Sequence, residues 1–137
     1  MIRDFAIHFV AALLAFLVCE IAWLGFVARD FYYSEIGFLL SDSPNWYAAA
    51  AFYVVFITGL TVFVVTPAVR RGSRWSGVAW GAFFGVVTYA TYDLTNLATV
   101  EGWPLSVTLV DIAWGATISA IATLVSVSVG IRWAAKP

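Results

Sequence analysis

This sequence of 137 residues is poor in charge and contains a single cysteine and a single histidine. Charged residues make up 11% of the chain, against about 25% in a typical soluble domain, which excludes an ordinary soluble fold. The lone Cys19 excludes an internal disulfide and a cysteine-cluster metal site. The lone His8 has no second histidine to form a ligand pair, and the net charge of −1 gives no sign of nucleic-acid binding. We therefore expect no resident cofactor or metal and no nucleic-acid partner.

Apolar residues dominate what is present. Hydrophobic residues make up 63% of the chain and aromatic residues 18%, a composition typical of integral membrane proteins. A helix needs about 20 mostly apolar residues to cross a bilayer, and four segments qualify. The predicted helices span about 5–28, 46–66, 75–99 and 104–129. The sequence thus predicts an all-α fold: one transmembrane domain, 1–137, built as a four-helix bundle.

Basic residues lie mainly on one side of these four segments. Six of the seven fall at the two termini or between helices two and three, and cytoplasmic loops are the ones enriched in such residues. The six are Arg3, Arg70, Arg71, Arg74, Arg132 and Lys136. Both termini are therefore predicted to be cytoplasmic. No small-residue cleavage site follows the first apolar run, so we expect it to remain as a permanent helix.

Three acidic residues interrupt the apolar segments at similar predicted depths. Counted at 1.5 Å per residue from the outer end of each segment, Glu20 lies roughly 12 Å deep, Asp93 roughly 9 Å and Asp111 roughly 10 Å. A charged carboxylate deep in a bilayer costs several kcal/mol, so a buried acid keeps its proton or finds a partner. No lysine or arginine lies inside a segment. We therefore expect the three acids to meet in one pocket near the outer side, with at least one protonated.

Aromatic and amide side chains accompany the acids at helical spacing. On helix three, an acid, an amide and two phenols recur at i, i+3, i+4 and i+7, which places them on one face. Each of the other two acids precedes a tryptophan by three residues. The candidate binding residues that join Glu20, Asp93 and Asp111 are Trp23, Tyr53, Tyr89, Tyr92, Asn96 and Trp114.

Helix three also carries glycines at every fourth position, Gly77, Gly81 and Gly85. Such a ridge lets the backbone of a neighbouring helix approach closely. We therefore predict tight helix packing in the cytoplasmic half and a more open, polar arrangement in the outer half.

The segment from Trp80 to Ala116, "WGAFFGVVTYATYDLTNLATVEGWPLSVTLVDIAWGA", resembles an uncharacterised family of small bacterial membrane proteins. The motifs that carry the resemblance are "YDLTN" and W-P-x(6)-D-x-x-W-G, with E-x-x-W-L in helix one. The resemblance implies four helices and a bacterial inner-membrane location, and it supplies no activity. A single acid in helix one also resembles the small multidrug transporters, but those are shorter and many have a weaker charge bias.

Three functions compete for the acid cluster. The first, which we favour, is a site that binds a lipid or other apolar small molecule. Such a site could act by acid–base chemistry, with Glu20 or Asp111 delivering a proton to a double bond and aromatic faces stabilising the cation. The second is a structural subunit of a larger complex, in which the acids form a hydrogen-bonded clasp between helices. The third is a proton- or cation-coupled carrier that acts as a homodimer, and a carboxylate-only cation site belongs to this group. The sequence leaves open whether the protein is an enzyme.

Overall fold

The computed structural model describes residues 2–135, and these fold into helices without any strand. Lys136, one of the basic residues used to predict orientation, lies outside the described residues. Four long helices and one short helix follow in chain order: α1 Ile2–Val27, α2 Arg29–Ile36, α3 Trp46–Arg70, α4 Arg74–Thr99 and α5 Leu105–Ala134. The predicted all-α class is confirmed.

Three of the long helices, α1, α3 and α5, are long and apolar enough to cross a membrane. Helix α4 has 26 residues and comparable length, but its composition is more polar because one face carries phenols, an acid and amide or hydroxyl groups. Its crossing of the membrane stays a prediction, as does the orientation of the termini.

Capping residues mark the starts of two long helices, and glycine turns precede two of them. The side chain of Asn45 accepts a hydrogen bond from the backbone N–H of Ala48 at the start of α3, and Ser73 does the same for Ser76 at the start of α4. The turns before α4 and α5 contain Gly72 and Gly102 at φ 64° and 78°, a conformation that favours glycine. Helices α3, α4 and α5 therefore begin at or just after a capping or turn residue.

Two wide π-helical turns distinguish the observed helices from the predicted ones. The turn at Thr61–Val65 lies just before Pro67, and α3 continues to Arg70 instead of ending near residue 66. A proline inside a regular helix lacks an N–H and clashes with the preceding turn, and a wider turn relieves that clash. The second wide turn, Trp23–Val27, begins three residues after Glu20 and ends α1.

The core is built on close packing of α4 against α5. A Cβ atom at Gly85 would overlap the backbone carbonyl of Gly115, and one at Gly81 would collide with Thr123. The predicted glycine ridge therefore brings the two helices to near backbone contact, as small residues do in membrane proteins. Helix α1 packs along the other side of α5.

Helix α3 approaches the other helices mainly through its second half, residues 61–70. In its first half the backbone stands away from α4, and aromatic rings cross the gap. Phe56 contacts Phe84 and Tyr89 edge to face, with ring centroids 5.4 and 6.2 Å apart. This separation leaves space between α3 and α4 at the level of the acidic residues.

Candidate acid and aromatic site

The two acid–tryptophan motifs meet across the antiparallel helices α1 and α5. The indole rings of Trp23 and Trp114 stack with centroids 4.3 Å apart and planes 7° from parallel. The Nε1–H of Trp114 donates to Oε2 of Glu20 at 3.1 Å, so the tryptophan of one motif holds the acid of the other. The resemblance between the two motifs is thus reflected in the packing of their helices.

The reciprocal contact passes through Tyr32, which lies on the short helix α2. The Nε1–H of Trp23 donates to the Tyr32 hydroxyl at 3.1 Å, and that hydroxyl donates to Oδ1 of Asp111. Burial raises the pKa of the Tyr32 phenol well above its ordinary value, and the hydrogen bond to Asp111 adds to the shift. Tyr32 therefore stays protonated and remains a donor to the acid.

Asp93 lies fully buried on α4, close enough to Asp111 for the two carboxyl groups to interact. Neither oxygen of Asp93 accepts a hydrogen bond from any donor among residues 2–135. Two ionised carboxylates can only accept hydrogen bonds, so a bond between these acids requires a proton on one of them. We therefore expect the two acids to share a proton, because two adjacent carboxylates repel each other.

Glu20 also lies close enough to Asp111 for their carboxyl groups to interact, which makes Asp111 the acid that interacts with both of the others. The structure thus brings together the acids that were predicted to lie at a common depth. Within residues 2–135, however, no three acidic, histidine or cysteine side chains are grouped closely enough to hold a metal ion.

A cavity of about 390 Å³ opens beside the acids, in the gap between α3 and α4. Two of its lining residues are Glu20 and Asp111, and the others are mostly aromatic. The ring of Phe52 is 46% exposed and that of Tyr92 is 58% exposed, so these two residues border the outward-facing side of the cavity. The complete lining is Glu20, Phe52, Phe56, Thr88, Tyr89, Tyr92 and Asp111.

The other candidate binding residues occupy different positions around this cavity. Trp23 and Trp114 do not line it; they stack on each other, and their N–H groups donate to Tyr32 and Glu20. Tyr53 is half-buried against Phe16, with ring centroids 6.0 Å apart, and Asn96 lies beside the phenol of Tyr92. Asp93 also stands outside the lining, behind Asp111. The predicted residues therefore divide into those that face the space and those that support it.

Sequence reasoning missed four residues that matter to this arrangement. Tyr32 lies in the segment between the first two predicted helices, and no periodicity marked its inward direction. Thr88 precedes Tyr92 by four residues, so the helical face of the acid and phenols contained the signal for it. Phe52 and Phe56, spaced four apart on α3, carried a similar signal.

The family model of the predicted membrane proteins DUF2177 matches residues 5–128, which is most of the chain. The chain belongs to this family. The match covers all three acids, Tyr32 and both stacked tryptophans, so the whole site lies within the DUF2177 region. Searches of curated proteins and of solved structures return no match. Membership in the DUF2177 family indicates that the chain is a membrane protein, and it carries no information about an activity.

Proposed function

We propose that this protein spans the bacterial inner membrane four times, with both termini in the cytoplasm. The 26 residues of α4 extend roughly 39 Å, more than the hydrocarbon core of about 30 Å requires. Helix α4 also packs along α5, which is itself apolar enough to span. The polar face of α4 is turned partly toward the acid site, where it is shielded from lipid. The basic residues between α3 and α4 support a cytoplasmic location for that turn.

We infer that the cavity between α3 and α4 binds an apolar molecule, such as a membrane lipid with an unsaturated chain. The observation that carries this proposal is the pairing of aromatic walls with two carboxyl groups at one end of the cavity. Ligand pockets commonly combine an apolar lining with a few polar groups that fix orientation. Because the gap faces outward between two helices, a molecule dissolved in the membrane could enter it sideways.

Acid–base chemistry on such a molecule would use the proton of the Asp93–Asp111 pair. Asp111 would protonate an alkene carbon, giving a carbocation that faces the ring of Tyr89. The carbon on the other side of the cationic centre would then lose a proton to the same carboxylate. This loss would shift the double bond by one position and restore the acid. The isomerisation is balanced without a cofactor, and Asp93 would support Asp111 from behind.

Binding can be tested by filling the cavity without altering the acids. Thr88 lines the cavity, and its hydroxyl donates only to the carbonyls of Phe84 and Gly85 in its own helix. We expect Thr88→Phe to remove lipid that co-purifies with the wild-type protein, as measured by mass spectrometry of extracted lipids. Thr91→Phe is the matched control, since Thr91 is exposed on the same helix and lies outside the cavity. Equal lipid content in all three proteins would contradict the proposal.

Proton transfer can be separated from binding by incubating lipid-loaded protein in D₂O. Wild-type protein should place deuterium on the bound alkene, whereas Asp111→Asn should retain the lipid and lose the exchange. Thr88→Phe should lose both. If the wild-type protein bound lipid but showed no exchange, the proposed isomerisation would be contradicted and only lipid binding would be supported.

A structural role within a larger complex is the second candidate, and the intramolecular hydrogen bonds of Glu20 and Asp111 favour it. These bonds connect α1, α2 and α5, as a clasp between helices would. Under this interpretation, Glu20→Gln and Asp111→Asn should lower stability without changing lipid content. Stoichiometric partner proteins should then also co-purify from native membranes.

A further inference from the structure

A second cavity of about 490 Å³ lies at the opposite end of the bundle, between α1, α3 and α5. Most of its wall is apolar, formed by residues such as Phe5, Val62 and Val69. Two side chains that can bind an anion also line it: the imidazole of His8 and the guanidinium of Arg70. This cavity shares no residue with the acid and aromatic site.

His8 packs against α5 through both its backbone and its ring. The hydroxyl of Ser126 donates to the backbone carbonyl of His8 at 2.7 Å. Gly130 faces the ring so closely that a Cβ atom there would stand 2.6 Å from Nε2. His8 is only 5% exposed, yet its Nδ1 has no hydrogen-bond partner within residues 2–135. A buried polar atom without a partner costs about 1–3 kcal/mol, so a ligand oxygen that reached Nδ1 would recover this cost.

Positive charge is concentrated at this end of the bundle. The guanidinium of Arg3 lies over the ring of Trp133 at 4.6 Å, and Trp133 also lines the cavity. Arg70 is exposed at the end of α3 and forms no ion pair with any residue the structure describes. The carboxylate of Asp4 lines the same cavity and offsets one of these charges, which leaves the surroundings of the cavity net positive.

We propose that this cavity binds the phosphate of an anionic phospholipid head group, with Arg70 and His8 as its polar contacts. The apolar wall would contact the first carbons of the acyl chains, whereas a free anion would gain nothing from contact with apolar side chains. Basic pockets between transmembrane helices are typical sites for anionic lipid head groups. The proposal does not depend on the function of the acid and aromatic site.

Because His8 is the only histidine, isotopic labelling of histidine gives a single side-chain reporter within the cavity. We would titrate the detergent-solubilised protein with dihexanoylphosphatidylglycerol and follow the imidazole signals by NMR. The signals should shift saturably. Dihexanoylphosphatidylcholine, whose head group carries a compensating cation, should bind at least tenfold more weakly.

Two pairs of variants assign the effect to the cavity. Arg70→Gln should weaken phosphatidylglycerol binding roughly tenfold or more, as expected for loss of a charged hydrogen bond, whereas Arg74→Gln should not. Val62→Trp should block the cavity, and Val55→Trp, which is exposed on the same helix and outside the cavity, should leave binding unchanged.

Three results would overturn the proposal. The first is an absence of saturable shifts with phosphatidylglycerol, and the second is equal affinity for both lipids. The third is competition by inorganic phosphate at the same concentration as the lipid, which would identify a free anion as the occupant. Retained affinity in Arg70→Gln would be a fourth such result, because Arg70 is the charged contact that the proposal requires.

Discussion

The rings of Trp23 and Trp114 stack where α1 and α5 pack together. The N–H of each ring is directed toward an acid of the opposite helix, either directly or through Tyr32. On an antiparallel helix pair, two motifs with an acid three residues before a tryptophan place the indoles together and direct each N–H toward the other helix's acid. One path is direct, to Glu20, and the other runs through Tyr32 to Asp111. The stack therefore positions both carboxyl groups that line the cavity.

Removing the indole N–H of Trp114 should weaken this arrangement while keeping a ring in place. We expect Trp114→Phe to lower the free energy of unfolding by about 0.5–2 kcal/mol, the range measured for hydrogen bonds between membrane helices. Unfolding in mixed micelles of increasing denaturing detergent would measure the change. Trp80→Phe is the control, because Trp80 is 56% exposed and contacts only the neighbouring ring of Phe83 among the described aromatic pairs. A similar loss in both variants would argue against a specific role for the N–H.

The buried phenol of Tyr32 should not contribute to an alkaline titration of the protein below pH 11. Burial raises the pKa of the Tyr32 phenol, so it should not ionise in the range near pH 10 where an ordinary tyrosine does. Tyr32→Phe should therefore leave the tyrosinate absorbance below pH 11 unchanged. A loss of absorbance in this range in Tyr32→Phe would contradict the raised pKa.

The same shift gives the sign of the stability change with pH. Unfolding releases Tyr32 to its ordinary pKa, so the contribution of the buried phenol is complete below about pH 10 and falls as the pH rises further. Stability should thus decline more steeply above pH 10 in the wild type than in Tyr32→Phe. A steeper decline in the variant would contradict the buried position of this phenol.

Much of the helical framework and of the acid cluster could be predicted from the sequence, because each depends on a simple period or distance. The glycine ridge Gly77–Gly81–Gly85 marked the packing face of α4, and the 1.5 Å rise per residue placed the acids at one level. The inward position of Tyr32 and the passage of α3 through Pro67 could not be predicted. Both depend on wide helical turns that tertiary packing selects and that have no sequence period. For the same reason, the division between cavity-lining residues and the supporting tryptophans became visible only in three dimensions.

The ridge on α4 gives a prediction about packing that is independent of the acids. We expect Gly85→Ala to destabilise the fold by about 3 kcal/mol, because the new Cβ meets a rigid backbone carbonyl and no rotamer change can relieve the overlap. Gly25→Ala, at a position where a Cβ atom meets nothing within 4 Å, should cause no loss. Thermal unfolding in detergent would compare the two. Equal melting temperatures would show that α4 and α5 are not in close contact.

The acid pair predicts opposite effects for two substitutions of Asp93. In Asp93→Asn the amide replaces the protonated carboxyl group as a donor to Asp111, so we expect stability within about 0.5 kcal/mol of the wild type. Asp93→Leu leaves Asp111 without that partner and should cost about 1–3 kcal/mol. Infrared difference spectra should also show a carboxylic-acid C=O band at neutral pH in the wild type that Asp93→Asn removes. If Asp93→Leu were as stable as Asp93→Asn, the two acids would not share a proton, and Asp111 would lose the proton source that the proposed chemistry requires.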